Sequence, residues 1–477
     1  MLFSTNIFIY VFLPLCTGVY FICMKLFKEK RAVLNTVLLA FSMAFYFVGG
    51  GIHVLILLTS ILANYIFALI IASSACENNR RKKKVLFGLS IAVNIGLLIW
   101  FKYFNFISGN IVGLINLAGG KAYENPFSIA LPIGISFFTF QAMSYVADVY
   151  CGKVPVQKSF GKLALYISFF PQLIAGPIVR YTEVADDIDH RQEDMNDFYD
   201  GLCRFIVGLS KKVLIADVLA RPVNKIFALA DNELTAALSW SGAFLFTLEI
   251  YFDFAGYSDM AIGMARMFGF HFHENFRMPY ISQNVTEFWR RWHISLSSFF
   301  RDYVYIPLGG NRRGPLCTYR NLGIVFVLCG IWHGASWTFL LWGIYHGVFL
   351  IIERVIKNKW NFAMKGIAGN VITFFIVLFG WVLFQCDTIM EAFHYFRAMF
   401  GMNQLAEHLY YKYTYYINKE ILFAAAAGFL LSIFPFERIK QKIGASPWKG
   451  FFCIFLLVLC MIYMSDASFN AFIYFQF

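Results

Sequence analysis

The chain has 477 residues, of which 59% are hydrophobic and 14% charged, with 56 phenylalanines and a mean hydropathy of +0.61. Soluble domains carry about 25% charged residues, so this composition excludes a soluble protein. The net charge of +12 does not mark a nucleic-acid binder, because the basic residues flank apolar runs instead of forming one soluble face.

A membrane-spanning helix takes about 20 mostly apolar residues. In chain order, apolar runs cover residues 7–24, 33–49, 54–75, 85–101, 129–149, 163–178, 205–219, 240–262, 322–352, 371–383, 421–434 and 451–464. They predict an all-α polytopic membrane protein with roughly ten to twelve membrane segments, some of them re-entrant. The runs are continuous and do not alternate, which excludes a β-barrel. The first run has no basic leader and is followed by Lys25, Lys28, Lys30 and Arg31. No cleavable signal peptide is expected, and the N-terminus is placed outside. A hairpin through Gly49–Gly51 leads to a second cytoplasmic loop at Arg80–Lys84. Arg438, Lys440, Lys442 and Lys449 mark a further one, which leaves the C-terminus outside as well. The ten cysteines form no CxxC pair and no Cys/His ligand spacing, so neither a disulfide framework nor a metal site is expected. With no internal repeat and no polar interval long enough to fold alone, residues 1–477 read as one membrane domain.

Three polar features stand inside this apolar chain. Asp253 and Asp259 lie in or at the edge of the run 240–262 and need cationic partners, for which Arg266, Arg290 and Arg291 are candidates. Residues 286–297 read as an amphipathic interfacial helix. Trp289, Trp292, Leu296, Phe299 and Phe300 fall on one stripe, Arg290, Ser297 and Arg301 on its flank, and His293 at the stripe's edge. Residues 301–314, with Pro307, Gly309, Gly310, Asn311 and Arg312, read as a loop whose backbone can approach a ligand closely. These arginines suit either a phosphate-bearing cytosolic ligand or anionic lipid headgroups. The third feature is His333, near the middle of the run 322–352 within Gly330-Ile331-Trp332-His333-Gly334. A polar residue at that depth costs a few kcal/mol and marks a function by default: metal ligand, proton relay or general base.

Five ordered motifs resemble the membrane-bound O-acyltransferase family, in the bacterial branch that serves alginate O-acetylation. They are Phe169-Phe170-Pro171-Gln172-Leu173-Ile174-Ala175-Gly176-Pro177, Asp253-Phe254-Ala255-Gly256-Tyr257-Ser258-Asp259 with Glu274-Asn275-Phe276, Phe288-Trp289-Arg290-Arg291-Trp292-His293-Ile294-Ser295, Pro307-Leu308-Gly309-Gly310-Asn311-Arg312, and Trp332-His333-Gly334. The motif core spans about residues 126–347. The resemblance implies a ring of helices thinned at the centre and crossed by a tunnel, in which a cytosolic thioester meets an outer acceptor. It makes His333 the catalytic base and sets His293 at the cytosolic mouth. Acetyl-coenzyme A becomes the expected acyl donor, held near Trp289, Arg290, Arg291, Arg301, Asn311 and Arg312. No permanently bound cofactor and no metal are implied.

The tail, residues 465–477, ends in Phe472-Ile473-Tyr474-Phe475-Gln476-Phe477. It resembles a short tyrosine-centred motif of envelope acylation systems, which implies that Tyr474 relays the acyl group outward. A phenyl ester keeps much of a thioester's transfer potential, because a phenol of pKa about 10 is a good leaving group. The alternative is an aromatic belt at the membrane interface. The implied partners are the lipid bilayer, a separate extracellular serine-type O-acetyltransferase and a polysaccharide acceptor, with the chain in the bacterial cytoplasmic membrane. D-alanyl transfer to teichoic acid is the alternative chemistry. A proton-coupled transporter and an assembly scaffold with a structural histidine are the alternatives outside acyl transfer.

Overall fold

The computed structural model describes residues 2–28, 30–73, 79–119, 128–407, 411–434 and 447–466. Tyr474, Arg438, Lys440 and Lys442 lie outside these residues. Every regular element among the described residues is helical. Among the described residues seven helical stretches are long and apolar enough to cross a membrane: Phe8–Leu26, Arg31–Ile71, Arg80–Gly119, Pro315–His333, Trp337–Trp360, Gly366–Gln385 and Trp448–Ser465. The chain is an all-α, multi-pass membrane protein. It divides into two units, residues 1–202 with 261–273 and residues 203–260 with 274–477.

The first unit contains α1 (Leu13–Leu26), α2 (Arg31–Gly50), α3 (Val54–Ile71), α4 (Arg80–Leu98), α5 (Phe104–Gly119), α6 (Ile135–Tyr150), α7 (Phe160–Ser168), α8 (Tyr181–His190) and the start of α9 (Met195–Ser210). The α2–α3 hairpin turns where expected, at Gly51, whose φ of +54° favours glycine. Asn64 on α3 and Asn94 on α4 bond each other through both amides, at 2.8 and 3.1 Å. Each amide also donates to the carbonyl one turn back, so neither buried side chain is left with an idle donor. Beyond α4, a π turn at Ile99–Tyr103 carries the chain on into α5. The sequence pattern ends its run at residue 101, because Asn105, Ser108, Asn110 and Asn116 dilute the apolar signal. The expected span 163–178 is broken instead: α7 stops at Ser168, ahead of Phe169 and Pro171. Pro171 has no N–H to bond back to the Ile167 carbonyl, so it starts a new short turn (Phe170–Leu173) instead of continuing α7, and the Phe170 N–H donates to Ser42 Oγ at 3.1 Å.

In the second unit α9 ends and continues through a π turn at Lys211–Ala216 into α10 (Asp217–Phe227). The 32-residue α11 (Ala236–Met267) follows, its residues 261–267 belonging to the first unit. Gly208 of α9 and Gly256 of α11 let the two backbones touch, since a Cβ on Gly208 would lie 2.6 Å from the Gly256 carbonyl oxygen. Asp253 and Asp259 are paired, as buried charges should be, but with closer neighbours than Arg266, Arg290 or Arg291. Lys212 reaches Asp253 at 2.6 Å and Asp217 at 2.8 Å. Arg204 and Lys211 reach Asp259 at 2.8 and 2.5 Å. Arg266 instead binds Asp197 and Asp200, and Arg291 binds Glu287.

The remaining helices are α12 (Val285–Arg291), α13 (Ile294–Phe300), α14 (Pro315–His333), α15 (Trp337–Trp360), α16 (Gly366–Gln385), α17 (Ile389–Met399), α18 (Lys419–Ile433) and α19 (Pro447–Asp466). Two expectations are corrected here. The amphipathic helix expected over residues 286–297 is two short helices, broken at His293 in the left-handed conformation with φ +43°. The run 322–352 is a helical hairpin: Gly334 is extended, and Ser336 caps α15 by accepting the Phe339 N–H. His333 is therefore the last residue of α14, not the middle of a long span.

Candidate active site

The hairpin sets His333 in place through glycine. A Cβ at Gly330 would strike the Phe339 carbonyl oxygen and lie 3.2 Å from Gly343 Cα, and a side chain at Gly334 would strike the Phe339 ring. α14 and α15 thus meet backbone to backbone one turn before His333. The imidazole is 4% exposed and ringed by aromatic groups. Its centroid lies 4.9 Å from Trp342, 5.0 Å from Trp332 and 5.3 Å from Phe384, all edge to face. Phe384 comes from α16, so three helices build the wall. Trp332 is part of this wall, whereas Trp337 is exposed. Trp342 and Phe384 carry no motif in the sequence that would single them out.

His293 also lies against Trp332, with ring centroids 6.1 Å apart. It is 1% exposed and packed edge-on against Phe254 at 4.6 Å. Burial holds its imidazole well below the ordinary histidine range, at about 3, so the ring is neutral at physiological pH. Its Nδ1 lies 3.2 Å from Asn275 Oδ1. The structure therefore brings the two candidate histidines against one indole.

The expected donor-binding residues divide into two sets. Trp289 is buried against Trp342, His346 and Phe326, at centroid distances of 5.6, 5.1 and 5.1 Å, and forms part of the wall. Arg290, Arg301, Asn311 and Arg312 are exposed, and Arg291 is half-buried beside Glu287. The Arg301 guanidinium is engaged by Asp302 at 2.6 Å. Residues 301–314 begin with a helical turn over Arg301–Tyr305 and form the expected irregular segment only from Ile306 onward. The buried Asn321 fixes that segment by donating to the Gly310 carbonyl at 2.9 Å. The short helix α12, which carries Trp289 to Arg291, is anchored at its start. The Glu353 carboxylate accepts from the Val285 and Thr286 N–H groups, a negative charge where the helix dipole favours one. His346 sits wholly buried between Trp289, Trp342 and Tyr345. Among the described residues no group of three or more His, Cys, Asp or Glu side chains is placed to hold a metal.

A buried imidazole in an aromatic box, with a second, neutral imidazole against the same indole, suits proton transfer to and from an oxygen nucleophile. Comparison with known proteins points the same way. Residues 153–394 match the model of MBOAT, the membrane-bound O-acyltransferase family. The chain is 40% identical over 410 residues to the probable alginate O-acetylase AlgI of Pseudomonas aeruginosa, covering 85% of this chain and 76% of that protein. It is 36% identical over 450 residues to the peptidoglycan O-acetyltransferase of Helicobacter pylori, covering 88% and 84%. It is 29% identical over 292 residues to the teichoic acid D-alanyltransferase of Bacillus subtilis, covering 56% and 72%. A multi-pass membrane O-acyltransferase, the chain belongs to the membrane-bound O-acyltransferase family and is closely related to its bacterial AlgI-type members.

Proposed function

We propose that this enzyme takes an acetyl group from acetyl-coenzyme A and delivers it across the membrane for O-acetylation of an extracellular or cell-envelope polysaccharide. His333 is the general base. It accepts the proton of an attacking hydroxyl while the new C–O bond forms at the thioester carbonyl and the C–S bond breaks. It then returns that proton to the departing thiolate, which leaves as the thiol of coenzyme A. The exposed Arg290 and Arg312 suit the donor's phosphates, as arginine forks match phosphate oxygens. Tyr474 is the proposed first acceptor. Its acetyl ester is passed to a separate extracellular transferase, an arrangement for a cytoplasmic membrane with both termini outside.

The observation that carries the acetyl reading is the 40% identity, over 85% of the chain, with a protein named as an alginate O-acetylase. The similarity to a D-alanyltransferase is lower and covers 56% of the chain. The test offers the purified protein, in lipid vesicles, acetyl-coenzyme A and a D-alanyl carrier protein in parallel. Release of coenzyme A thiol coupled to acetyl transfer supports the reading. Transfer from the D-alanyl carrier alone replaces it.

A further inference from the structure

Asn275 lies in the extended segment between α11 and α12, and its two polar ends do different work. Its main-chain carbonyl accepts the Ile294 N–H at 2.9 Å, and its side-chain Oδ1 accepts the Ser295 N–H at 3.1 Å. These are the first two N–H groups of α13. The residue before them, His293, makes no side-chain cap, so Asn275 supplies the cap from a distant part of the chain.

This contact settles which end of the Asn275 amide points where. A main-chain N–H can only donate, so the atom facing Ser295 N is oxygen. The amide nitrogen then points the other way, where it donates to Ser258 Oγ at 3.1 Å. The same Oδ1 lies 3.2 Å from His293 Nδ1. An amide oxygen can only accept, so Nδ1 must carry a proton. The Ser295 hydroxyl, 2.9 Å from that oxygen, spends its single proton there and offers Nδ1 only a lone pair at 3.4 Å. A bare Nδ1 would face two acceptors.

We infer that Asn275 is a positioning residue that holds His293 as the Nδ1–H tautomer, with the lone pair on Nε2. A free histidine's tautomer is set by the hydrogen bond its other nitrogen makes, and here that bond is fixed by the cap of α13. His293 then presents an acceptor, not a donor, at Nε2. In the acyl-transfer reading, on which only this consequence rests, such an acceptor receives a hydrogen bond from an N–H or O–H of the substrate while His333 handles the transferred proton.

The tautomer is read without any substrate, so its failure is separable from failure of the acyl-transfer reading. The full chain is labelled with 15N-histidine in detergent micelles, and His293→Gln assigns the signal. The wild type is expected to show a protonated Nδ1 and an unprotonated Nε2 at neutral pH. Asn275→Asp keeps an acceptor for Ser295 and for Nδ1, so it retains this tautomer. Asn275→Leu removes the acceptor and is expected to shift His293 towards the Nε2–H form and to lower acyl transfer by about 100-fold, with Asn275→Asp recovering most of the loss. A wild-type His293 protonated at Nε2, or an unchanged tautomer in a folded Asn275→Leu protein, overturns the inference.

Discussion

Gly330 and Gly343 bring the backbones of α14 and α15 into contact: a Cβ on Gly343 would lie 3.0 Å from Gly330 Cα and collide with the Phe326 carbonyl oxygen. His333 follows three residues after the first glycine, and Trp342, which packs on its ring, immediately precedes the second. The crossing that holds the hairpin is thus also what fixes the imidazole against its indole.

Gly343→Ala should therefore destabilise the protein by about 1–3 kcal/mol, the usual cost of overpacking, and lower acyl transfer along with it. Gly323→Ala, on α14 where a Cβ meets nothing within 4 Å, is the matched helical control and should be neutral. Thermal unfolding in detergent, followed beside activity, checks both.

The Lys212 ammonium sits between Asp253 and Asp217, all three largely buried. Lys212→Met leaves two carboxylates without their cation and should cost about 3–5 kcal/mol. Replacing Asp253 with Asn in the same protein should recover part of that loss. A double-mutant cycle on the unfolding temperature measures the coupling, and purely additive effects would argue against it.

The neutral, buried His293 carries its own pH signature. Its folded pKa of about 3 lies below the unfolded value near 6.5. Above pH 6.5 neither state binds the proton and the residue costs nothing. As pH falls from 6.5 towards 3, the unfolded chain takes up a proton that the folded one refuses. Stability then drops by about 1.4 kcal/mol per pH unit from this group. Wild type minus His293→Gln, measured as unfolding temperature between pH 7 and 5, should isolate that slope. Equal slopes would mean that His293 is protonated in the folded protein.

For the exposed arginines, Arg290→Ala and Arg312→Ala should raise the KM for acetyl-coenzyme A, roughly tenfold each for a lost charge-assisted contact. Stability should change by less than about 0.5 kcal/mol, as for ordinary surface substitutions. The KM of the wild type should also rise with salt, and less steeply in the variants. A KM unaffected by either arginine would assign them to lipid headgroups instead.

Much of the fold was legible because lipid imposes continuous apolar runs, and the turn at Gly51 and the burial of Trp289, Trp292, Leu296, Phe299 and Phe300 appear as read, though not on one helix. The misses have physical causes. The turn after His333 is hidden inside one long apolar run, since Gly334 and Ser336 barely interrupt it. The break at His293 has no glycine or proline to announce it; a trans cap from Asn275, eighteen residues earlier, stabilises it. The ion partners of Asp253 and Asp259 lie on α9 and the turn after it, more than forty residues upstream in sequence. Of the site, His333 and His293 were readable as polar residues in motifs. The wall formed by Trp342 and Phe384 was not, because aromatic residues occur throughout this chain.

The most direct test of acyl transfer through His333 is mass spectrometry of the full chain after incubation with labelled acetyl-coenzyme A, beside His333→Ala and Tyr474→Phe, with donor binding measured in each. The account predicts label on the peptide containing Tyr474 in the wild type and none in either variant, with donor binding retained by all three. A His333→Ala protein that binds donor and acquires label at the wild-type rate would contradict it.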